Sequence, residues 1–191
     1  PYCHVADPVT LIVTVALFTY LPHEGSERAV YAQRTLIAAL NHLKFGGDLR
    51  FHIADDGSHP GHVENLMAIV KRHTGKAPTT SNGRRGGYGA SWNAMTGVVH
   101  QWPNDKVLCL EDDWVLLEDL DLDPLVTAMD ASNGELRCVR LGYLGWTDPL
   151  FGELLRWEGQ TFLMLDPDSP EKHVFSGGPR LETVAFQRTQ G

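Results

Sequence analysis

The sequence predicts an α/β fold with a mixed, mainly parallel central sheet flanked by helices. Short apolar segments rich in β-branched residues alternate with helix-length amphipathic segments from residue 10 to about residue 132, an order typical of parallel sheets with crossover helices. Beyond residue 132 most apolar segments are short, so we expect strands of mixed direction to extend the sheet. Polar residues follow directly after several predicted strands, at the edge where open α/β sheets bind ligands.

The strand predictions rest on short runs of β-branched and aromatic residues. The longest run, 10–20, stops at Pro22, which cannot continue a central strand. The run 106–110 has Pro103 upstream and no room for a helix, so we expect a buried, parallel strand there. Further strands are predicted at 49–54, 79–81, 137–143, 161–165 and 173–175.

The helix predictions rest on apolar side chains that recur every three or four residues. The segment 26–44 shows this spacing, with Ser26 as its N-cap and two glycines after its end. Pro124 opens another helix, 124–132. Further helices are predicted at 61–73, 90–101 and 181–186, and the segment 146–157, rich in Pro, Gly and Trp, is predicted to be a loop.

Composition restricts the possible partners and compartment. A chain of 191 residues that is 42% hydrophobic has enough apolar material for one domain with a real core. The net charge of -8 argues against a protein that binds nucleic acid phosphates without specificity, and the densest basic patch, Arg84–Arg85, suits a nucleotide better than a duplex. No apolar run is long enough for a membrane span.

The three cysteines are odd in number and widely spaced, and two of them lie inside apolar runs. We therefore expect reduced, buried thiols in a cytoplasmic compartment. A zinc site is not expected, because the sequence has no Cys-x-x-Cys pair.

Three carboxylates, Glu111, Asp112 and Asp113, follow the strand 106–110 directly. Ionised carboxylates are too costly to bury without partners. Hard oxygen ligands on a short loop suit Mg²⁺ or Mn²⁺, which take one or two carboxylates and share their other positions between water and substrate phosphates. An ordinary acidic surface loop is the alternative.

Two further stretches have both a structural and a functional interpretation. Asp55-Asp56-Gly57-Ser58 follows the strand 49–54, where the side chains either stabilise a tight turn or bind a base or ribose. The glycine-rich loop 82–89 precedes a helix and contains Arg84 and Arg85, so it is either simply flexible or binds a diphosphate. It lacks the motifs of ATPase and dinucleotide-binding loops.

The order of these motifs resembles that of GT-A glycosyltransferases, most closely the family 2 type. The resemblance covers residues 10–186 and also includes a Phe-Ser-Gly-Gly segment at 175–178. It implies a single GT-A (Rossmann-like) domain, in which residues 1–132 form the nucleotide-sugar-binding half. Residues 133–191 would form the acceptor-side half. This half would end before the acidic residue that family members use as the catalytic base.

The resemblance also implies roles for individual residues. Asp113 would be the direct ligand of Mn²⁺ or Mg²⁺, while Glu111 replaces the first Asp of the usual Asp-x-Asp motif and would contact the metal through water. Asp112 would lie beside the ribose or the metal. The remaining residues implied in donor binding are Thr19, Asp55, Asp56, Arg84, Arg85, Gly87 and Asn93.

The implied activity is metal-dependent transfer of a hexose from a nucleotide-diphosphate sugar, with a UDP-sugar as the expected donor. The acceptor would be a hydroxyl of a glycan, a protein or a modified nucleobase. Inverting members use an acidic residue beyond the Ser-Gly-Gly segment to deprotonate that hydroxyl. Glu182, Glu171 and His173 are the candidates for this base; a base beyond Gly191 and a retaining mechanism remain alternatives.

Two other functions share much of this architecture. A sugar-nucleotide nucleotidyltransferase usually has a Gly-rich basic loop after its first strand, whereas this chain has Leu-Pro-His-Glu-Gly at 21–25. A non-catalytic nucleotide-sugar-binding module of the same fold would keep the pocket without the base.

Overall fold

The computed structural model describes residues 11–103, 105–141, 151–166, 168 and 178–189, and it describes Asn82 by its backbone only. The predicted strand 173–175 and the candidate bases Glu171 and His173 lie outside these residues. So do the Ser-Gly-Gly segment up to Gly177 and the end of the predicted strand 137–143.

A six-stranded mixed sheet forms the centre of the described structure, as predicted. Its spatial order is β4-β3-β1-β5-β10-β7. Neighbours in the series β4-β3-β1-β5 are parallel, whereas β10 runs antiparallel to both β5 and β7. The six strands are β1 (Ile12–Thr19), β3 (Asp48–Asp55), β4 (Thr79–Asn82), β5 (Lys106–Glu111), β7 (Cys138–Arg140) and β10 (Arg180–Thr183).

Two small strand pairs accompany the central sheet. The pair β2 (Leu43–Lys44) and β6 (Leu120–Asp121) is parallel, and the pair β8 (Gly152–Trp157) and β9 (Gln160–Leu165) is an antiparallel hairpin. The predicted loop 146–157 was therefore wrong for its second part, because β8 pairs along its length with β9. Its side chains are mostly exposed, so no burial period marks the strand in the sequence.

Five helices occur in the described residues, and four of them match predicted helices. The prediction of a helix at 181–186 was wrong, since β10 is inserted between β5 and β7 by backbone pairing and only one helical turn follows it. The helices are α1 (Arg28–His42), α2 (His62–Thr74), α3 (Tyr88–Val99), α4 (Asp123–Ala131) and α5 (Val184–Gln187).

Hydrophobic side chains cover both faces of the sheet. On one face, the alternate β1 residues Val13, Val15 and Leu17 join a core that includes residues of α1, α2 and α4. On the other face, Ala16 and Phe18 join a second core that includes residues of α3. Burial of β1 along its whole length is typical of a central parallel strand. These two cores fix the carboxyl ends of β1, β3 and β5 at one edge of the sheet.

None of the helices in the described part of the chain combines the length and apolar character that a membrane span requires.

Candidate functional site

A cavity of about 160 Å³ lies at the carboxyl edge of β1 and β5. Strand pairing places it there, because Thr19 is in register with Asp55 and Phe18 with Glu111. The polar residues that follow β1, β3 and β5 are therefore neighbours, as expected from the sequence. The cavity is lined by Phe18, Thr19, Tyr20, Arg28, Asp56, Tyr88, Ser91, Glu111 and Asp112.

Asp112 is buried at the floor of this cavity and joins three parts of the structure. One carboxylate oxygen accepts hydrogen bonds from the Thr19 hydroxyl at 2.9 Å and the Tyr20 amide at 3.1 Å, and the other pairs with Arg28. The Thr35 hydroxyl of α1 donates to its backbone carbonyl at 3.1 Å. Burial raises the pKa of Asp112, although these partners favour its ionised form. This carboxylate is thus occupied by protein groups.

Thr19 connects Asp112 to a buried histidine. Its hydroxyl has a single proton, which it donates to Asp112, so it accepts from the Nε2–H of His62, 2.8 Å away. Burial lowers the pKa of His62, which is consistent with a neutral imidazole. The Thr19 side chain lines the cavity while its hydroxyl is held by these two residues.

The two aspartates after β3 both bind backbone amides. The Asp55 carboxylate accepts from the amides of Gly57 and Ser58, each at 3.1 Å, which closes the tight turn. The Asp56 carboxylate accepts from the amides of Gly86 at 2.8 Å and Gly87 at 2.9 Å. Both residues therefore have a structural role in the described contacts. Of the two, Asp56 lines the cavity.

The glycine-rich loop packs closely on this turn. Gly57 has φ of +76°, and a Cβ at this position would come within 2.7 Å of the Arg85 backbone nitrogen, so only glycine fits here without strain. The Arg85 guanidinium lies 4.9 Å from the centre of the Tyr20 ring, at the rim of the cavity. Arg84 and Asn93 are exposed, and neither lines the cavity.

Glu111 and Asp113 differ in their position relative to the cavity. Glu111 is half-buried and lines it, whereas Asp113 is exposed beside it. Burial and the negative charge of Asp113 raise the pKa of Glu111. Among the described residues, no group of three or more His, Cys, Asp or Glu side chains is arranged to hold a metal. Two adjacent carboxylates still fit Mg²⁺ or Mn²⁺ if substrate phosphates and water supply the other ligands.

Glu182 does not lie where a base for the acceptor is needed. It is fully buried in β10, where one carboxylate oxygen accepts from Arg180 at 2.6 Å and the other from Gln187 at 2.8 Å. Its backbone pairs with Val107, near the start of β5, whereas Glu111 ends that strand. A carboxylate with these partners and no exposed surface is a structural ion pair in this arrangement, not a group that contacts an acceptor.

Besides Phe18 and Tyr20, which lie at the end of the first strand, the sequence predictions missed three residues that line the cavity: Arg28, Tyr88 and Ser91. Only Arg28 gave a signal in the sequence. It is the first residue of α1, and a positive charge at a helix N-terminus is unfavourable with respect to the helix dipole. Such a residue needs another reason to be there, which the structure supplies in Asp112.

The fold is shared with solved structures that are distant in sequence. TarS from S. aureus matches with a TM-score of 0.57 and 12% identity over 94% of this chain and 29% of that chain. A structure of TarS residues 1–349 matches with a TM-score of 0.55 and 13% identity over 94% of this chain and 49% of that one.

WbbM, described as a bifunctional glycosyltransferase, matches with a TM-score of 0.50 and 12% identity over 97% of this chain and 34% of that chain. This chain thus spans less than half the length of each of these proteins. No protein-family model and no curated protein sequence matches it. The structural similarity shows that the described chain has the fold of glycosyltransferases.

Proposed function

We propose that this chain transfers a glycosyl group from a nucleotide-diphosphate sugar, with a UDP-sugar as the expected donor, to an acceptor hydroxyl. The observation that carries the proposal is the cavity at the carboxyl edge of β1 and β5, where Arg28 and the carboxylate of Glu111 lie together. A diphosphate with a divalent cation needs both a positive group and an oxygen ligand. The glycosyltransferase fold supports this interpretation.

Glu111 and Asp113 are the residues that would hold Mg²⁺ or Mn²⁺. The bound ion would neutralise negative charge on the departing diphosphate as the sugar–oxygen bond breaks. Burial, followed by the negative charge of Asp113, raises the pKa of Glu111, and a bound cation would offset both effects. Glu111 lines the cavity and Asp113 is exposed, so the two carboxylates would supply oxygen ligands and leave the other positions of the ion to water and the diphosphate.

Aromatic side chains also line the cavity. The rings of Tyr88 and Phe18 lie 4.9 Å apart, and Tyr88 is 41% exposed. The face of an aromatic ring can stack on a nucleobase or on a sugar. We expect Tyr88, together with Tyr20 at the rim, to orient the donor and to exclude water from its reacting carbon.

The general base that would deprotonate the hydroxyl of the acceptor substrate remains a prediction from the sequence. Glu171 and His173 keep this candidacy, and a retaining mechanism or a base beyond Gly191 remains an alternative. Glu182 is the weakest candidate because of its buried ion pair. The acceptor itself, whether a glycan, a protein or a modified nucleobase, would approach from the 133–191 half of the proposed single GT-A domain.

The structure of the segment after β1 disfavours the nucleotidyltransferase alternative. Leu21 is buried, its amide donates to the Ser58 hydroxyl at 2.8 Å, and its carbonyl accepts from the His59 amide at 2.8 Å. The backbone is therefore tied to the turn after β3. A loop that closes over a nucleoside triphosphate would need these groups to be available.

The experiment is a comparison of donor turnover by the wild-type protein and by Asp113→Asn, with Mn²⁺ and a panel of nucleotide-diphosphate sugars. We expect the wild type to release a nucleoside diphosphate from one donor, and Asp113→Asn to lose this activity while its Tm stays within a few degrees, because an exposed side chain contributes little to the core. Glu118→Gln, another exposed acid of the same loop, is the matched control and should retain activity.

Other outcomes would change the proposal. Full activity of Asp113→Asn, or of the wild type in excess chelator, would contradict the metal role. Pyrophosphate release from a nucleoside triphosphate and a sugar phosphate would support the nucleotidyltransferase. Donor binding without any turnover would support the binding module.

A further inference from the structure

We infer that Arg28 and Ser91 form a subsite that binds the diphosphate of the donor, and that Asp112 is the residue that positions Arg28. This inference rests on the proposed function, since it assigns residues to one part of the proposed substrate. In this inference, Asp112 holds Arg28, which contacts the phosphate. Asp112 itself is not a ligand of the metal or of the ribose.

Arg28 is held at the cavity in a fixed orientation. Its Nε–H donates to the Tyr20 carbonyl at 3.0 Å, and one terminal nitrogen pairs with Asp112. Among the described residues these are the only hydrogen-bond partners of its guanidinium, and its side chain is 43% exposed. A guanidinium has five N–H donors, so donors remain for a ligand. Their planar arrangement matches two oxygens of a phosphate.

Asp112 accounts for the presence and the rigidity of Arg28. A buried carboxylate requires a partner, and an arginine at the start of a helix opposes the helix dipole. Arg28 therefore provides the positive partner that the buried carboxylate needs, and Asp112 offsets the unfavourable position of Arg28 at the start of the helix. Because the pair fixes the guanidinium before a ligand arrives, less conformational entropy is lost on binding.

Ser91 is an independent indication of a ligand in the same cavity. It is only 3% exposed, and its hydroxyl has no hydrogen-bond partner among the described residues. Unpaired buried hydroxyls are unfavourable, so an oxygen of a ligand would satisfy this group. Ser91 lies in the first turn of α3, and the partial positive charge of a helix N-terminus also favours an anion.

The cavity also contains the carboxylates of Glu111 and Asp56, which repel a free anion. We therefore expect the magnesium complex of a diphosphate, rather than the bare anion, to bind. Inorganic pyrophosphate in millimolar MgCl₂ is the simplest probe, because it contains the diphosphate without the base or the sugar.

The test is calorimetric titration of magnesium pyrophosphate into the wild type, Ser91→Ala and Arg28→Lys. We expect Arg28→Lys, which keeps a positive charge for Asp112 but loses the planar fork, to weaken binding about tenfold. Ser91→Ala should weaken binding by about three- to tenfold without lowering the Tm, because it breaks no hydrogen bond within the described protein. Arg34→Lys, at an exposed arginine of α1, is the matched control and should bind like the wild type.

Several results would overturn the inference: no binding of magnesium pyrophosphate by the wild type, or wild-type affinity in either variant. If Arg28→Lys fails to fold, Ser91→Ala decides alone, since unchanged affinity in that variant removes the subsite. The readout separates this inference from the proposed function. Pyrophosphate binding that depends on both residues, without turnover of any nucleotide sugar, would leave the subsite and contradict the transferase. Turnover of a nucleotide sugar by the wild type, together with wild-type pyrophosphate affinity in both variants, would support the transferase and contradict the subsite.

Discussion

His52 is a buried histidine in the middle of β3 that does not line the candidate cavity. Its Nδ1 lies 2.8 Å from the Thr79 hydroxyl and its Nε2 lies 2.9 Å from the Ser81 hydroxyl, so it bridges β3 and β4. Trp102 packs on its ring edge to face at 5.9 Å. Burial lowers the pKa of His52 to about 4, and the ring is therefore neutral near pH 7.

This pKa predicts a loss of stability on mild acidification. The unfolded chain binds a proton at His52 below its ordinary pKa of 6.5, whereas the folded chain does so only near 4. The contribution of neutral His52 is therefore complete above about pH 6.5 and is lost as the pH falls to about 4, by about 3 kcal/mol in total. Urea unfolding across this window measures the effect.

The matched variants are His52→Gln and His23→Gln, the second at an exposed position. We expect His52→Gln to flatten the decline in unfolding free energy between about pH 6.5 and about pH 4. The remaining pH dependence of the unfolding free energy would include a contribution from His62, whose pKa is also lowered by burial. A slope in His52→Gln equal to that of His23→Gln would refute the assignment.

At the scale of elements, β10 connects the second half of the chain to the wall of the cavity. Arg180 pairs with Glu182, lies 5.0 Å from the centre of the Trp92 ring and donates to the Tyr88 hydroxyl at 3.0 Å. Two cysteines lie beside this pair, and burial followed by the charge of Glu182 raises the pKa of the Cys138 thiol to about 12. Burial also raises the pKa of the Cys109 thiol, so both thiols are protonated near pH 7. Cys109 is buried, as expected from the sequence, whereas Cys138 is half-buried.

The ion pair of β10 predicts a structural effect of Glu182→Gln. Removal of one charge leaves Arg180 buried without its partner, so we expect a loss of about 3–5 kcal/mol in the unfolding free energy. Urea denaturation measures it, and Glu153→Gln, at an exposed glutamate of β8, is the control and should lose less than about 0.5 kcal/mol. Wild-type stability together with abolished donor turnover would instead restore Glu182 as the base.

The elements that the sequence could predict were those with a complete local pattern. β1, β3 and β5 are buried apolar runs followed by polar residues, so their type, direction and meeting edge could all be inferred. β10 could not, because Arg180 and Glu182 are charged residues that are buried as an ion pair with further polar partners. The sequence alone does not show that these two charged residues lie in a strand between β5 and β7.

The same limit applies to the candidate site. The proximity of Asp55 and Asp112 follows from adjacent strand ends and was expected from the sequence. Which partner each carboxylate has could not be predicted: Asp55 binds its own turn, and Asp112 binds Arg28 from 84 positions earlier in the chain. The sequence thus predicted which residues share this edge of the sheet, and the structure showed the partners of each one.

At the scale of the whole molecule, topology explains why one cavity can combine groups from distant parts of the chain. The order β3-β1-β5 brings together residues that follow three strands, and α1 and α3 add Arg28, Tyr88 and Ser91. The net charge of -8 opposes the approach of a polyanionic donor. We therefore expect donor binding to depend on the local positive charge of Arg28 and a divalent cation.

The most direct test of this account is a thermal-shift screen of nucleoside diphosphates and nucleotide-diphosphate sugars against the wild-type protein, with Mn²⁺ and with chelator. A ligand that binds only the folded state at about 100 times its Kd stabilises the protein by about 2.7 kcal/mol. We expect at least one nucleotide sugar to raise the Tm by several degrees in Mn²⁺ and not in chelator. No shift with any nucleotide in either condition would contradict the claim that this cavity binds a nucleotide-diphosphate sugar.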